Sequence, residues 1–189
     1  MKATKSRQMA TLAIFFAIIL IIQLLSNMVF SIWPIPIKPT LVQIPVIIAS
    51  LLYGPHIGAS LGLLMGMMSM ITNSIILLPT SYLFSPFVEH GNLASLAIAI
   101  LPRVLIGITP YFVYQWFHNR FGLALAGLVG SLTNTVFVLS GIFIFFAGVY
   151  GGNIQALLAA IISSNALAEM IISALLVSIM VPRLNHFRK

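Results

Sequence analysis

The sequence predicts an all-α membrane protein, and its composition, its long apolar runs and the positions of its basic residues support that fold class. Of its 189 residues, 60% are hydrophobic and only 6% are charged, whereas about a quarter of a soluble globular domain is charged. So few charges cannot cover a surface exposed to water, so most of the chain must face lipid. Apolar runs such as residues 10–25 are continuous, unlike the alternating strands of an outer-membrane barrel.

Six apolar stretches are candidates for membrane-spanning helices, because about 20 apolar residues cross the hydrocarbon core. The second stretch is short and follows a proline-rich segment, and a Gly-Pro turn separates it from the third. We expect one transmembrane domain over residues 1–189. The predicted spans are Met9–Ser31, Thr40–Tyr53, Ile57–Leu78, Asn92–Phe117, Gly122–Val149 and Asn153–Val181.

The basic residues predict the orientation of the chain. An even number of spans places both termini on one side of the membrane, and seven of the nine Lys and Arg residues fall at the termini or in the loop at Arg120. The two others are Lys38, on the opposite side, and Arg103, inside a span. The positive-inside rule therefore predicts that both termini are cytoplasmic and that the protein lies in the inner (cell) membrane.

The composition and the absence of known motifs argue against several classes of function. The net charge of +7 comes from topology signals rather than from a nucleic-acid-binding patch. Cysteine is lacking, and the four histidines fall in loops or at the end, which argues against a metal site. P-loop, zinc-protease and serine-hydrolase signatures are missing, so we expect a protein that is not an enzyme and binds no cofactor or ATP itself.

Polar residues inside the predicted spans are the candidate binding groups, because burying them in hydrocarbon is costly. Arg103, Asn134 and Glu169 lie at similar depths on three consecutive spans, and Asn165 shares a helix face with Glu169. Arg103 offers a planar donor fork for a carboxylate or phosphate, while amide and acid groups suit hydroxyls and amides. A structural Arg103–Glu169 ion pair is the alternative. The full set of candidates is Gln43, Asn73, Tyr82, Phe84, Arg103, Thr133, Asn134, Asn165 and Glu169.

Two further sequence patterns each allow two interpretations. The loop at residues 79–91, with Tyr82 and Phe84, predicts either a lid over a cavity or an interfacial aromatic belt. Small residues at four-residue spacing, Ala13 with Ala17 and a glycine stripe at residues 58, 62 and 66, predict close helix contacts. Such contacts lie either inside the chain or against another membrane subunit.

The sequence resembles the substrate-specific S components of energy-coupling factor (ECF) vitamin transporters over nearly the whole chain. The general features are its size, six spans, cytoplasmic termini and the Ala13-x-x-x-Ala17 motif. More specific strings place it near the pantothenate-type S components. They are residues 39–48 (PTLVQIPVII), 53–55 (YGP), 84–87 (FSPF), 101–107 (LPRVLIG) and 130–135 (GSLTNT).

One Arg and one Glu inside the membrane make a poor proton relay, so the chain is badly equipped to energise transport alone. The resemblance supplies the missing part of the function. It implies a substrate-binding subunit whose Ala13 and Ala17 face docks on a transmembrane coupling subunit, with two cytoplasmic ATPases supplying energy. It implies a vitamin ligand, and the specific strings above favour pantothenate, whose carboxylate also suits Arg103. Three alternatives remain. The ligand is another vitamin such as pyridoxine, hydroxymethylpyrimidine or riboflavin; the chain is a solitary proton-coupled carrier; or it is an assembly subunit without a ligand.

Overall fold

The computed structural model describes residues 5–32, 41–77, 80–146, 153, 156, 159 and 163–188. These residues form α-helices, and the connections within the described ranges are short turns and one longer loop, which carries a 3-10 turn at Ser81–Leu83. The prediction of an all-α fold is therefore confirmed for the described part of the chain. The helices are α1 (Lys5–Ile32), α2 (Gln43–Tyr53), α3 (Pro55–Ile75), α4 (Leu93–Ile106), α5 (Thr109–Trp116), α6 (Arg120–Phe145) and α7 (Ser164–Arg188).

Within the described part of the chain, five segments are long and apolar enough to cross a membrane, and α2 is a shorter apolar helix. Most of residues 154–162, in the first part of the last predicted span, and the loop at residues 33–39 lie outside the described residues. The count of six spans and the side of the termini stay predictions. The five segments are Lys5–Ser26, Pro55–Ile75, Leu93–Trp116, Arg120–Phe145 and Asn165–His186.

The short helix α2 is the centre of the bundle. Its 11 residues give a length of about 16 Å, roughly half of the hydrocarbon core. Nine of them are buried, and α2 contacts all six other α-helices. Val46, Ile47 and Ala49 are fully buried in the main apolar cluster. The central position of α2 brings its first residue, Gln43, into the interior.

The fourth predicted span matches an apolar segment at Leu93–Trp116, and the structure adds that this segment consists of two helices. It breaks between α4 and α5 at Gly107 and Ile108, because Pro110 lacks an amide hydrogen and its ring conflicts with the carbonyl four residues earlier. The carbonyl of Gly107 accepts a hydrogen bond of 2.6 Å from the Ser50 hydroxyl of α2. The break therefore ties α4 and α5 to the central helix.

The glycine stripe of α3 packs inside the chain. A Cβ atom at Gly58 would collide with the Gly107 carbonyl, one at Gly62 with the Arg103 carbonyl, and one at Gly66 would lie 2.8 Å from the Ala99 carbonyl. The backbones of α3 and α4 thus touch along three turns, as small residues allow in lipid. This contact fixes the height of Arg103 relative to α3.

Candidate ligand-binding site

Glu169 lies in a buried polar group that we call the carboxylate cluster, formed by Gln43, Ser131, Asn165 and Glu169. Glu169 is 5% exposed and Gln43 is 0% exposed. The Nε2 amide of Gln43 donates to the Ser131 hydroxyl at 2.8 Å and to Oε2 of Glu169 at 3.4 Å. Asn165 Nδ2 donates to Oε1 of Glu169 at 3.4 Å. Residues from α2, α6 and α7 therefore meet at one carboxylate.

Arg103 is held in place by an irregularity in its own helix. Pro102 has no amide hydrogen, so the Ile98 carbonyl four residues earlier loses its helical donor. The Nη1 atom of Arg103 donates to that carbonyl at 2.7 Å. The guanidinium also lies 5.2 Å from the centre of the Phe84 ring, a cation–π distance. The proline thus fixes one end of the guanidinium and leaves the rest available.

A cavity of about 160 Å³ opens beside Arg103; we call it the arginine cavity. Its wall combines residues from α1, α3 and α4 with Val42, which precedes the first residue of α2. A helix N-terminus carries a partial positive charge, so the end of α2 adds to the preference for an anion here. The lining residues are Gln23, Val42, Met65, Met68, Ser69, Thr72, Asn73 and Arg103.

The loop between α3 and α4, described at residues 80–91 and called the aromatic loop here, folds back onto the bundle. Tyr82 packs edge-to-face against Phe146, with ring centres 5.5 Å apart, and Leu83 is 5% exposed against Ile98 and Val138. Phe84 covers the guanidinium of Arg103. The described part of this loop therefore contacts α4, the end of α6 and the guanidinium of Arg103.

Four buried side-chain atoms have no hydrogen-bond partner among the described residues: Nε of Arg103, Oε1 of Gln43, Oδ1 of Asn134 and Oγ of Ser173. Buried polar atoms are normally bonded, and leaving one unbonded costs about 1–3 kcal/mol. One of these atoms is a donor with a positive charge, two are amide acceptors, and a hydroxyl can be either. These atom types are ones that an anionic group and hydroxyl or amide hydrogens of a ligand can satisfy.

The structure divides the predicted candidates into groups. Gln43, Asn165 and Glu169 meet in the carboxylate cluster, whereas Asn73 and Phe84 lie with Arg103. The contacts described for Arg103 are with Ile98 and those for Glu169 are with Gln43 and Asn165, and the alternative of an ion pair between the two stays a prediction.

Two residues of α6 take different positions. Asn134 is three residues from Ser131, so it shares the face of α6 that carries the carboxylate cluster. The Thr133 hydroxyl instead donates to the Val129 carbonyl at 2.7 Å and bonds to the Thr109 hydroxyl at 3.1 Å. Thr133 therefore joins α6 to α5.

Several polar residues near the site were missing from the predicted set. Gln23 and Ser69 line the arginine cavity, and Ser131 and Ser173 are almost fully buried. Gln23 could have been found, because it interrupts the long apolar run of α1. Serines give little signal, since a helical serine can bond to its own backbone and is common in membrane helices.

Ala13 and Ala17 are exposed on α1, in contrast to the packed glycines of α3. A larger apolar cavity, about 640 Å³, lies near them between α1, α2 and α7. Its wall is almost wholly aliphatic and aromatic, with Arg7 at one end. Such a wall suits lipid chains or another membrane helix, and it offers little to a ligand rich in hydroxyl groups.

Comparison with known proteins gives consistent matches. A family model for the substrate-specific component of ECF transporters matches residues 7–181. The chain is 46% identical to the pantothenic acid transporter PanT of Lactococcus lactis subsp. cremoris, over 100% of this chain and 98% of the relative. It is 28% identical to the pantothenate transporter PanT of Leuconostoc mesenteroides subsp. mesenteroides, over 75% of this chain and 72% of that relative.

Proposed function

The chain belongs to the substrate-specific components of ECF transporters and is a multi-pass membrane protein, and we propose that it binds pantothenate from outside the cell. Both relatives described above carry pantothenate in their names. The protein would serve uptake as a binding subunit. It would not act as an enzyme and would hold no cofactor.

The observation that carries the proposal is the pairing of an unsatisfied cationic donor with unsatisfied amide acceptors. Pantothenate has a carboxylate, an amide and two hydroxyl groups. Its carboxylate would accept from Nε of Arg103, and its hydroxyl and amide hydrogens would be donated to Oε1 of Gln43 and Oδ1 of Asn134. Each atom that lacks a partner in the structure would then gain one.

The carboxylate cluster would orient the ligand rather than bind its carboxylate. Both oxygens of Glu169 already accept from amides of Gln43 and Asn165, and a second carboxylate beside them would be repelled. The anionic end of the ligand is therefore assigned to the arginine cavity and its hydroxyl-bearing end to the carboxylate cluster.

Energy for transport would come from partner subunits. We propose that both termini are cytoplasmic, that Ala13 and Ala17 dock on a transmembrane coupling subunit, and that two ATPases drive that subunit. The exposure of both alanines supports this role, because small residues that face lipid let a second helix approach closely.

The test is the thermal stability of the detergent-purified chain against a panel of B vitamins. A ligand at 100 times its Kd stabilises the folded state by about 2.7 kcal/mol, so pantothenate should raise the Tm by several degrees. Riboflavin and pyridoxine serve as matched negative ligands. A rise in Tm with another vitamin would leave the family assignment in place and change the proposed ligand. An unchanged Tm with every vitamin would contradict the proposal.

A further inference from the structure

The larger apolar cavity, between α1, α2 and α7, takes no part in the proposed function; we call it the lateral cavity. It measures about 640 Å³, within the range of about 300–1,000 Å³ usual for small-molecule sites. Aliphatic and aromatic side chains form its wall, and Arg7 is the charged residue among those that line it. This wall suits a long apolar group with a charged end.

The charged end of the lateral cavity lies where α1 begins and where α2 and α7 end. Arg7 lies in the first turn of α1, Tyr53 is the last residue of α2, and Leu184 lies near the end of α7. The rings of Phe15 and Tyr53 meet edge-to-face with centres 5.8 Å apart, which places the end of α2 beside the first half of α1. The opposite end of the cavity lies at Ile22, about four turns further along α1.

The acidic side chains of the sequence lie elsewhere. There are two of them: Glu169 is bonded by amides in the carboxylate cluster, and Glu89 lies in the aromatic loop. Arg7 lines the lateral cavity, and Arg183 directly precedes a lining residue of α7. Because a guanidinium binds a phosphate through two parallel hydrogen bonds, this end of the cavity is complementary to a phosphate supplied by the membrane.

The dimensions of the lateral cavity favour a lipid chain over a helix. The stretch of α1 from Arg7 to Ile22 spans about 22 Å, which is about half the thickness of a bilayer with its headgroup regions. Spread over that length, 640 Å³ gives a mean width of about 6 Å. An α-helix with its side chains is about 10–12 Å wide, whereas the carbon atoms of packed alkyl chains approach to about 4 Å. The cavity therefore has the length of one leaflet and the width of an acyl chain.

We propose that the lateral cavity binds one anionic phospholipid, with an acyl chain along α1 and its phosphate at Arg7. This inference goes beyond the proposed function and does not depend on it, because pantothenate is assigned to other residues. Ile14 and Ile18 line the cavity and are exposed, so an acyl chain covers them. The lipid then lies beside their neighbours Ala13 and Ala17, at the face proposed for docking.

The experiment measures lipid binding by the full-length chain after purification in detergent and removal of lipid. Phosphatidylglycerol and phosphatidylcholine with identical acyl chains are added to the micelles, the Tm is followed, and retained lipid is counted by native mass spectrometry. Phosphatidylglycerol should raise the Tm by several degrees, as a ligand of the folded state does, with one molecule retained per chain. Phosphatidylcholine should give less than half of this rise, because its headgroup carries no net charge.

Two pairs of variants locate the lipid. Ile18→Trp fills the cavity and should abolish lipid retention, whereas Ile21→Trp, at an exposed position of α1 outside the cavity wall, should keep it. Arg7→Gln should lower the response to phosphatidylglycerol to that of phosphatidylcholine. Lys5→Gln removes a charge from the same turn of α1 outside the cavity wall, so the preference for phosphatidylglycerol should stay unchanged.

Three results would overturn the inference. Equal responses of the wild-type protein to both lipids would exclude recognition of an anionic headgroup. Equal loss of lipid in Ile18→Trp and Ile21→Trp would mean that lipid coats α1 without a defined site. Lack of retained lipid in the wild-type protein would exclude the occupant, and protection of an Ile18→Cys thiol from maleimide by the coupling subunit would then assign the cavity to a helix of that partner. None of these results would change the test of pantothenate binding.

Discussion

The arginine cavity and the carboxylate cluster each contain one ionisable side chain, but the two side chains are satisfied to different degrees. Arg103 uses one nitrogen on the Ile98 carbonyl and has a buried Nε without a partner. Both oxygens of Glu169 accept hydrogen bonds from amides. The arginine therefore gains most from a ligand, whereas the carboxylate cluster is organised before the ligand arrives.

Under the proposed function, this difference gives each part a separate contribution to binding. A charged donor that lacks a partner in a low-dielectric site interacts strongly with an anion. A preorganised cluster contributes orientation, because its amides need not reorder when the ligand binds. Substitutions in the two parts should consequently differ in size and in their effect on the ligand-free protein.

The largest effect is expected for Arg103→Ala. Removing one partner of a buried charged pair costs about 2–5 kcal/mol, which corresponds to roughly 30- to 4,000-fold in Kd for pantothenate at 1.4 kcal/mol per factor of ten. Isothermal titration of the purified protein measures this loss. An unchanged Kd would remove Arg103 from the site.

The double variant Pro102→Ala/Arg103→Ala separates binding from support of the helix. Arg103→Ala alone leaves the Ile98 carbonyl unbonded, which should also lower the ligand-free Tm. Alanine at position 102 restores the amide hydrogen that this carbonyl lacks. The double variant should therefore regain the Tm of the ligand-free protein while its affinity stays low.

A smaller effect is expected for Glu169→Gln. The amide keeps the size of the side chain and one acceptor but loses the charge, and a hydrogen bond to a charged group contributes about 1.5–3 kcal/mol against about 1 for a neutral one. We expect the Kd to rise about tenfold. Thr133→Val, at the contact between α6 and α5, is the matched control and should change the Kd less than twofold. Equal losses in both variants would mean that the cluster serves the fold alone.

The smallest effect on affinity is expected outside both parts, at Ala13→Leu/Ala17→Leu on α1. Leucine suits a surface that faces lipid, so the Kd and the Tm of the isolated subunit should stay near the wild-type values. Copurification with the coupling subunit and the ATPases should be lost, because leucine keeps a second helix at a distance. Ala97→Leu, on an exposed part of α4, should copurify normally. Normal copurification of the α1 variant would exclude this face as the docking surface.

Much of the helical layout could be predicted from the sequence, because apolar length and Gly-Pro turns are local signals. The turn at Gly54 is an example: it has a positive φ of 95°, and α3 starts at the next residue. The sequence does not predict the break at Gly107, because the apolar run continues through it and a single proline at position 110 is a weaker signal than that run. A proline inside an apolar run can leave a helix intact, as Pro102 does in α4.

The small-residue motifs show where local pattern stops being informative. Gly62 and Ala17 belong to motifs with the same spacing, yet Gly62 touches the backbone of α4 and Ala17 faces outward. Similarly, Arg103, Asn165 and Glu169 were identified by the cost of polar groups in lipid. Which of them share a cluster depends on the rotation of each helix and on α2, whose residue Gln43 lies 126 positions from Glu169.

That long separation between Gln43 and Glu169 has a consequence for how the chain is made. Helix α2 enters the membrane early in synthesis, but the partners of its Gln43 amide, Ser131 and Glu169, arrive only with α6 and α7. Until then Gln43 lacks the carboxylate, and the contact that closes the bundle is one of the most non-local in the chain. Biogenesis should therefore complete the binding site last, so that a nascent chain truncated before α7 is a substrate for membrane quality-control proteases rather than a weak binder.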